Sequence, residues 1–256
     1  MKPFSAFLKK EWMELTRTGR LIVLLAVFVL FGIMNPAIAK LTPWMLGTMT
    51  DSLKSTGITV AEVTVDAMTS WTQFYKNIPM ALIVFVLLWS GSFTAEYQKG
   101  TLIPAVTKGL ARRQIVLAKG TMMLLTWSAC YWLCYGITFA YNAYFWDNGI
   151  AEYPAFAAAC YWLFGVWIIA LLVLFSAVSQ TGIQVLLGTG AVTLGASLLG
   201  MLPKLKAYVP TKLADGMSVL QGAVKPSENT AAALISAGMA VVCTALAVAA
   251  FNRKKL

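Results

Sequence analysis

Histidine is absent from the 256-residue chain, and charged residues are scarce: they make up 12% of it, against 59% hydrophobic residues. An ordinary soluble domain carries about 25% charged residues, which cover its surface. So little charge, combined with long apolar runs, predicts that lipid is the solvent for most of this surface. We therefore expect one membrane domain and no separate globular domain.

Several chemistries lack the residues that they need. The sequence contains no histidine, no clustered carboxylates and no Gly-x-Ser-x-Gly, which argues against a membrane-embedded hydrolase. It contains no Gly-Lys dipeptide, so the usual phosphate-binding loop cannot form. The four cysteines all lie in apolar runs, where small packing residues are the simpler interpretation than a disulfide or metal site. We expect no catalytic residue, metal site or cofactor in this chain.

Acidic residues are half as frequent as basic ones, 10 against 20, which gives a net charge of +10. The basic residues sit beside apolar runs and are not interleaved with aromatic residues, so nucleic-acid binding is not expected. The positive-inside rule explains them better.

Charge-free runs predict the membrane spans, because about 20 residues of helix cross the hydrocarbon core. Residues 153–203 carry no charge and are too long for one span, so the polar break at 176–182 divides them into two. The fold class is therefore all-α, a polytopic membrane protein with six transmembrane helices at about 21–39, 77–95, 120–146, 154–176, 182–202 and 229–251.

Charge counting orients these spans. With the N-terminus inside, the inner segments hold 13 of the 20 basic residues and 3 of the 10 acidic ones, and the outer segments are neutral. This is the distribution that the positive-inside rule requires, so both termini are predicted to be cytoplasmic.

Residues 3–18 are predicted to form an amphipathic interfacial helix before the first span. An apolar side recurs at three- and four-residue steps, and Trp12 belongs to it, whereas Lys9, Lys10, Glu14 and Arg17 fall mainly on the other side. Such a helix lies at the headgroups and contacts membrane lipids. It either serves only as an anchor or has a further role.

The longest inner loop lies between the second and third spans. It carries five basic residues, and Gly100 and Pro104 bracket a short structured piece that would suit docking to a cytoplasmic partner. No ionisable residue falls inside a predicted span, which argues against an ion-coupled transporter. If this chain does work, another subunit supplies the energy.

The order of these parts resembles the ABC-2 type permease family, the membrane subunits of many bacterial ABC exporters. Glu96, the run Lys99-Gly100-Thr101-Leu102 and the basic stretch from Arg112-Arg113 to Lys119 are similar to that family's loop, and Lys10-Glu11-Trp12 with Arg17 resembles its first helix.

This resemblance implies an exporter with two permease subunits, identical or different, and two cytoplasmic ABC ATPase subunits, in the plasma membrane of a bacterium. ATP and Mg²⁺ would belong to the ATPase. The implied ATPase-coupling residues are Glu96, Lys99, Gly100, Thr101, Leu102, Lys108, Arg112 and Arg113. The basic ones would pair with acidic groups of the ATPase; alternatively, they only fix the topology.

Two further sets of residues are candidates. Small residues at four-residue steps in the fifth span, Ala191/Gly195 and Ala196/Gly200, would permit close contact with a second permease or packing within one subunit. Candidates for an uncharged cargo path are Phe28, Phe31, Asn35, Phe85 and Trp89, which would otherwise face lipid or pack. Such a path would suit amphipathic or hydrophobic cargo, namely a peptide, an antibiotic or a lipid-like compound. The alternatives are a scaffold or sensor subunit that transports nothing and, less favoured, a lipid-modifying enzyme.

Overall fold

The computed structural model describes residues 3–54, 65–107 and 109–254, and these residues form helices joined by turns, with no strand among them. Six of the helices in this part of the chain are long and apolar enough to cross a membrane. The predicted fold class is confirmed: the protein is an all-α, multi-pass membrane protein. The spanning helices are α2 (Arg20–Lys54), α3 (Ala67–Ser90), α6 (Arg112–Phe145), α7 (Pro154–Val178), α8 (Gly182–Gly200) and α10 (Pro226–Arg253).

Several of these helices extend beyond the predicted spans. The helix α2 continues to Lys54, far past the predicted end at 39, and α6 begins at Arg112 instead of 120. Pro36 and Pro43 lie inside α2; proline is tolerated in membrane helices because neighbouring groups satisfy the freed backbone atoms. Charge-free runs therefore mark the apolar part of each helix and miss the turns that continue into the polar region.

The N-terminal helix α1 (Pro3–Arg17) agrees with the predicted interfacial helix. Gly19, with a φ of +71°, ends the connection to α2 in the left-handed conformation that glycine adopts without strain. The side chains of Phe7 and Leu15 are buried, whereas Trp12 is 52% exposed. The helix therefore packs on the bundle through one stripe and leaves Trp12 available to the headgroups.

Three short α-helices lie between the spanning helices, and a 3₁₀ turn at Asn148–Ile150 joins α6 to α7. The helices α4 (Thr94–Gln98) and α5 (Ile103–Thr107) lie between α3 and α6, and α9 (Gly216–Leu220) lies between α8 and α10. At one end of the bundle, α4 contacts α1 through Glu96 and Lys10 and contacts the end of α10 through Tyr97 and Phe251. We call this end the terminal face. The 201–225 segment, at the opposite face, contains only α9 and a 3₁₀ turn at Pro210–Ala214.

The core of the bundle is aromatic. The indole of Trp127 on α6 makes edge contacts with Phe28 at 5.9 Å and Phe85 at 5.6 Å between ring centroids. Gly165 on α7 makes room for this indole, since a Cβ there would lie 2.2 Å from Trp127 Cζ2. The close approach of α6 and α7 thus depends on the missing side chain.

Candidate functional site: a charge cluster beneath an exposed loop

The loop from Gly91 to Ala111 folds into two short helices on the terminal face. Between α4 and α5, Gly100 turns the chain with a φ of +65°, and the amide of Thr101 donates to the carbonyl of Glu96 at 3.1 Å. A residue with a Cβ would be strained in this backbone conformation. The predicted structured piece around Gly100 and Pro104 is therefore present as a compact helical turn.

This loop has an exposed tip and a buried base. Lys99, Thr101 and Ile103 are exposed, whereas Leu102 and Glu96 are buried. The exposed tip thus combines a cation, a hydroxyl and an apolar side chain. Of the other predicted coupling residues, Arg112 and Arg113 begin α6, and Lys108 lies outside the described residues.

Beneath the loop lies the most unusual residue of the site, Lys119. The sequence predicts that it belongs to the loop before the third span, and that expectation is wrong. Lys119 lies within α6 and is fully buried. Its Nζ lies 2.9 Å from Glu11 Oε2 and 3.3 Å from Glu96 Oε2, and it donates to the carbonyl of Ser92 at 3.3 Å. Burying an ammonium is costly unless opposite charges compensate it, and here two carboxylates do so.

A second lysine closes the cluster from the α1 side. Lys10 Nζ lies 3.0 Å from Glu11 Oε1 and 2.9 Å from Glu14 Oε2, and it also donates to Glu96 Oε1. We call Lys10, Glu11, Glu14, Glu96 and Lys119 the inner charge cluster. It joins α1, α4 and α6 through ion pairs.

The environment shifts the pKa values of the two outer members. Burial disfavours the charged form of Lys10, but the hydrogen bond to Glu96 and the charge of Glu11 outweigh it and raise the pKa of Lys10 above its ordinary value. Burial likewise opposes ionisation of Glu14, yet its hydrogen bond with Lys10 prevails and lowers the pKa of Glu14. Both groups are therefore charged at neutral pH.

Three carboxylates in one place raise the question of a metal ion. Oxygens of Glu11, Glu14 and Glu96 lie within 4.8 Å of one another. The ammonium groups of Lys10 and Lys119 already lie among these oxygens and supply the compensating charge. The cluster is therefore an ion-pair network that ties three elements together.

One signal for this cluster is present in the sequence. Glu11 lies four residues after Phe7 and four before Leu15, so it shares their face of α1, and that face is buried. The sequence therefore indicates that Glu11 faces the bundle. Its partner Lys119, however, lies 108 positions away along the chain. Spacing along the chain carries no information about that pairing.

The end of α10 lies beside the loop. The guanidinium of Arg112 donates to the carbonyls of Asn252, at 3.2 Å, and Lys254. The Lys254 ammonium lies 4.0 Å from the ring centroid of Tyr97 and donates to the carbonyl of Ala177 at 3.1 Å. A cavity of about 260 Å³ lies between the loop, Gln180 and Lys254. The α10 end and the loop therefore share one face of the membrane.

The candidate dimer-contact residues fall into two groups. Ala191 is exposed, and a Cβ at Gly195 would meet nothing within 4 Å. By contrast, Ala196 packs against the core, and a Cβ at Gly200 would lie 3.1 Å from Thr211 Oγ1. Only the Ala191/Gly195 pair is therefore left uncovered by the described part of this subunit.

The candidate cargo-path residues pack within the subunit. Phe28, Phe85 and Trp89 are buried in the aromatic core, and Phe31 is partly buried against it. Asn35 is also buried: its amide donates to Thr138 Oγ1 at 3.1 Å, and its carbonyl oxygen accepts from Asn77 at 2.8 Å. Asn35 thus connects α2, α3 and α6.

Comparisons with known proteins agree with the membrane fold. No family model matches the chain, and no solved structure matches it. The chain is similar to the uncharacterized transmembrane protein YxlG of Bacillus subtilis (strain 168), with 23% identity over 172 residues that cover 66% of this chain and 64% of that protein. The match thus spans less than two thirds of that relative's length. What it supports is that this chain is a transmembrane protein with several spanning helices.

Proposed function

We propose that this protein is the permease subunit of an ATP-driven ABC exporter, of the kind seen in the ABC-2 type family that its sequence resembles. The observation that carries the proposal is the link between the exposed loop tip around Lys99 and the buried Lys119. At the base of the loop, Glu96 Oε2 lies 3.3 Å from Nζ of Lys119, a residue of α6. If the loop moves, this ion pair therefore either resists the movement or passes it to the spanning helix α6.

The proposed mechanism uses this link. Closure of a cytoplasmic ATPase on ATP moves the loop, whose Lys99 and Thr101 are exposed for contact. Glu96 passes the movement to α6 through Lys119 and to α1 through Lys10. This step favours one of two conformations of the bundle, and the two differ in their affinity for the ATPase. The ATP and Mg²⁺ belong to the partner, and two ATPases with two permeases form the complex.

The proposed location is the plasma membrane of a bacterium, with the terminal face in the cytoplasm. The excess of basic residues in the segments of this face supports that orientation. The pair Ala191/Gly195 on α8 is available for the second permease, because Ala191 is exposed, a Cβ at Gly195 would meet nothing within 4 Å, and small residues let helices approach closely in lipid. The proposed cargo is amphipathic or hydrophobic: a peptide, an antibiotic or a lipid-like compound. The packing of Phe28, Phe85 and Trp89 inside one subunit requires that such a path opens by helix movement or lies elsewhere.

The test is cargo-stimulated ATP hydrolysis by the complex purified from its native membrane. We expect an ATPase to co-purify and a panel of amphipathic peptides and lipids to include a stimulating compound. Lys99→Glu should weaken ATPase association, because it reverses the charge of the exposed tip, whereas Lys204→Glu, exposed near the opposite face, should not. Stimulation only by a small hydrophilic ion would refute the proposed cargo class. An intact membrane complex without any ATPase would favour a scaffold or sensor subunit.

A further inference from the structure

A groove on the lipid-facing side of the bundle is separate from the inner charge cluster and from the loop. It has a volume of about 630 Å³ and lies between α6, α7 and α10. Its floor and walls are apolar and include Val116, Gly120, Leu124, Ala170, Ala240 and Ala245. This volume falls within the range of sites that bind small ligands.

Small side chains create this groove. The floor carries Gly120, Ala170 and Ala240, whereas exposed Leu117 and Val241 stand beside it. The hydroxyl of Thr244, which also lines the groove, donates to the carbonyl of Ala240 at 2.8 Å. Apart from Thr121 and Thr244, the groove therefore offers an apolar surface to its occupant. On α6 it extends from residue 116 to 124, about 12 Å along the helix axis.

A basic residue marks the end of the groove at the terminal face. Arg113 precedes the groove residue Leu117 by four positions, so it lies on the groove-lining stripe of α6, and it is exposed. Arg112 lies to the side of this stripe and donates to carbonyls at the end of α10. Arg253 follows the groove residue Thr244 by two and a half helical turns, so it lies on the side of α10 that faces away from the groove. An apolar channel that ends at an exposed guanidinium group matches a molecule with an apolar chain and an anionic head.

We infer that this groove binds an acyl chain of an anionic phospholipid, with the lipid phosphate held by Arg113. Guanidinium groups bind phosphate oxygens through charge-assisted hydrogen bonds, and basic residues beside a membrane attract anionic lipids. A second copy of this chain fits less well. A two-fold contact over this groove would bring Arg113 of both copies to one membrane level, where like charges repel. The inference does not depend on the proposed transport function.

Native mass spectrometry of the purified full-length protein tests this inference. The protein is mixed with equal amounts of phosphatidylglycerol and phosphatidylcholine that carry the same acyl chains, and the retained lipids are counted. Ala245→Phe fills the groove, and its matched control is Ala249→Phe, an exposed alanine one turn along α10 that does not line the groove. Since two buried methylene groups already correspond to roughly a tenfold change in affinity, we expect A245F to reduce retention of both lipids at least tenfold.

The arginine is tested separately by Arg113→Gln, with Arg253→Gln, exposed on the far side of α10, as a control of equal charge change. Arg113→Gln should lower the preference for phosphatidylglycerol about fivefold, while retention of phosphatidylcholine stays the same. Arg253→Gln should leave the preference unchanged, and equal effects of the two variants would overturn the assignment of the phosphate to Arg113. Equal retention by A245F and the wild type, with both proteins shown to be folded by circular dichroism, would overturn the inference. A dimer that A245F dissociates would also overturn it and assign the groove to a second copy.

Discussion

The Nζ of Lys119 lies 2.9 Å from Glu11 Oε2, although 108 positions separate the two residues in the chain. This contact fixes the N-terminal helix α1 to the third spanning helix, α6. Glu96 contacts the same ammonium from the loop side. The α1 helix is therefore more than a membrane anchor, because its carboxylate compensates a charge buried in the bundle.

The first prediction concerns the loss of this buried cation. Lys119→Met leaves the carboxylates of Glu11 and Glu96 close together without the ammonium between them. Removing one partner of a buried ion pair costs about 3–5 kcal/mol, so we expect a large fall in the thermal stability of the purified protein. The matched control is Lys99→Met at the exposed loop tip, which should change stability little.

A second substitution tests whether charge is the cause. Adding Glu11→Gln to Lys119→Met should recover part of the lost stability, because it removes one of the uncompensated carboxylates. The control is Glu11→Gln in the wild type. If Glu11→Gln lowers the stability of Lys119→Met by as much as it lowers that of the wild type, the two residues are not coupled and this description of the cluster is wrong.

The stability that the outer part of the cluster contributes should depend on pH. The pKa of Lys10 is raised above 10.5, because Glu96 and the other carboxylates outweigh burial, so its contribution is full below 10.5 and is lost as the pH rises through the raised value. The pKa of Glu14 is lowered below 4.5, so its contribution is full above 4.5 and is lost as the pH falls through the lowered value.

The measurement is the difference in melting temperature between the wild type and Lys10→Met across this pH range. The difference should be greatest between pH 4.5 and 10.5 and should shrink on both sides. Lys10 is partly exposed, so we expect a contribution of about 1 kcal/mol at most. Lys9→Met, at an exposed neighbouring position, is the control. A difference that does not vary with pH would contradict the assigned ion pairs.

Asn35 offers a way to distinguish a structural from a cargo-contacting role. Asn35→Ala removes the hydrogen bonds to Thr138 and Asn77 and leaves those groups without this partner. Interhelical hydrogen bonds in membranes contribute about 0.6–2 kcal/mol, so the melting temperature should fall. Asn252→Ala, at an exposed position, should have a smaller effect. Unchanged stability of Asn35→Ala with altered cargo response would instead favour a place on the cargo path.

The contact between α6 and α7 predicts an asymmetry between two glycines. Gly165→Ala places a Cβ 2.2 Å from the Trp127 ring, whereas a Cβ at Gly190 meets nothing within 4 Å. Overpacking of this kind costs about 1–3 kcal/mol. Gly165→Ala should therefore lower thermal stability clearly, and Gly190→Ala should not. Equal stability of the two variants would show that Trp127 has room to move.

The six-helix fold could be predicted because lipid imposes a length and a composition on every span. The fourth and fifth spans were predicted from one charge-free stretch that a polar break divides. The structure confirms the division, with a turn at Ser179–Thr181 between the two helices. The ends of the spans could not be predicted in the same way. Helical hydrogen bonding continues past the apolar run, so α2 reaches Lys54 and α6 includes Lys119.

The candidate site was predicted only in part. The turn at Gly100 and the exposure of Lys99 follow from local sequence. The pairing of Lys119 with Glu11 and of Asn35 with Thr138 depends on how distant helices pack, and a single sequence does not record that packing. The sequence also does not distinguish a cavity wall from a packed core for the aromatic residues Phe28, Phe85 and Trp89, because an aromatic side chain in a span suits both equally well.

The measurement that tests the account most directly is the sidedness of the terminal face. Single cysteines replace Lys99, Arg253 and Lys204, all exposed in the structure, while the four native cysteines are buried. Intact cells are treated with a membrane-impermeant thiol reagent, before and after permeabilisation. We predict that Lys204→Cys is labelled in intact cells and that Lys99→Cys and Arg253→Cys react only after permeabilisation. Labelling of Lys99→Cys from outside would place the loop on the wrong side for a cytoplasmic ATPase and would contradict the account.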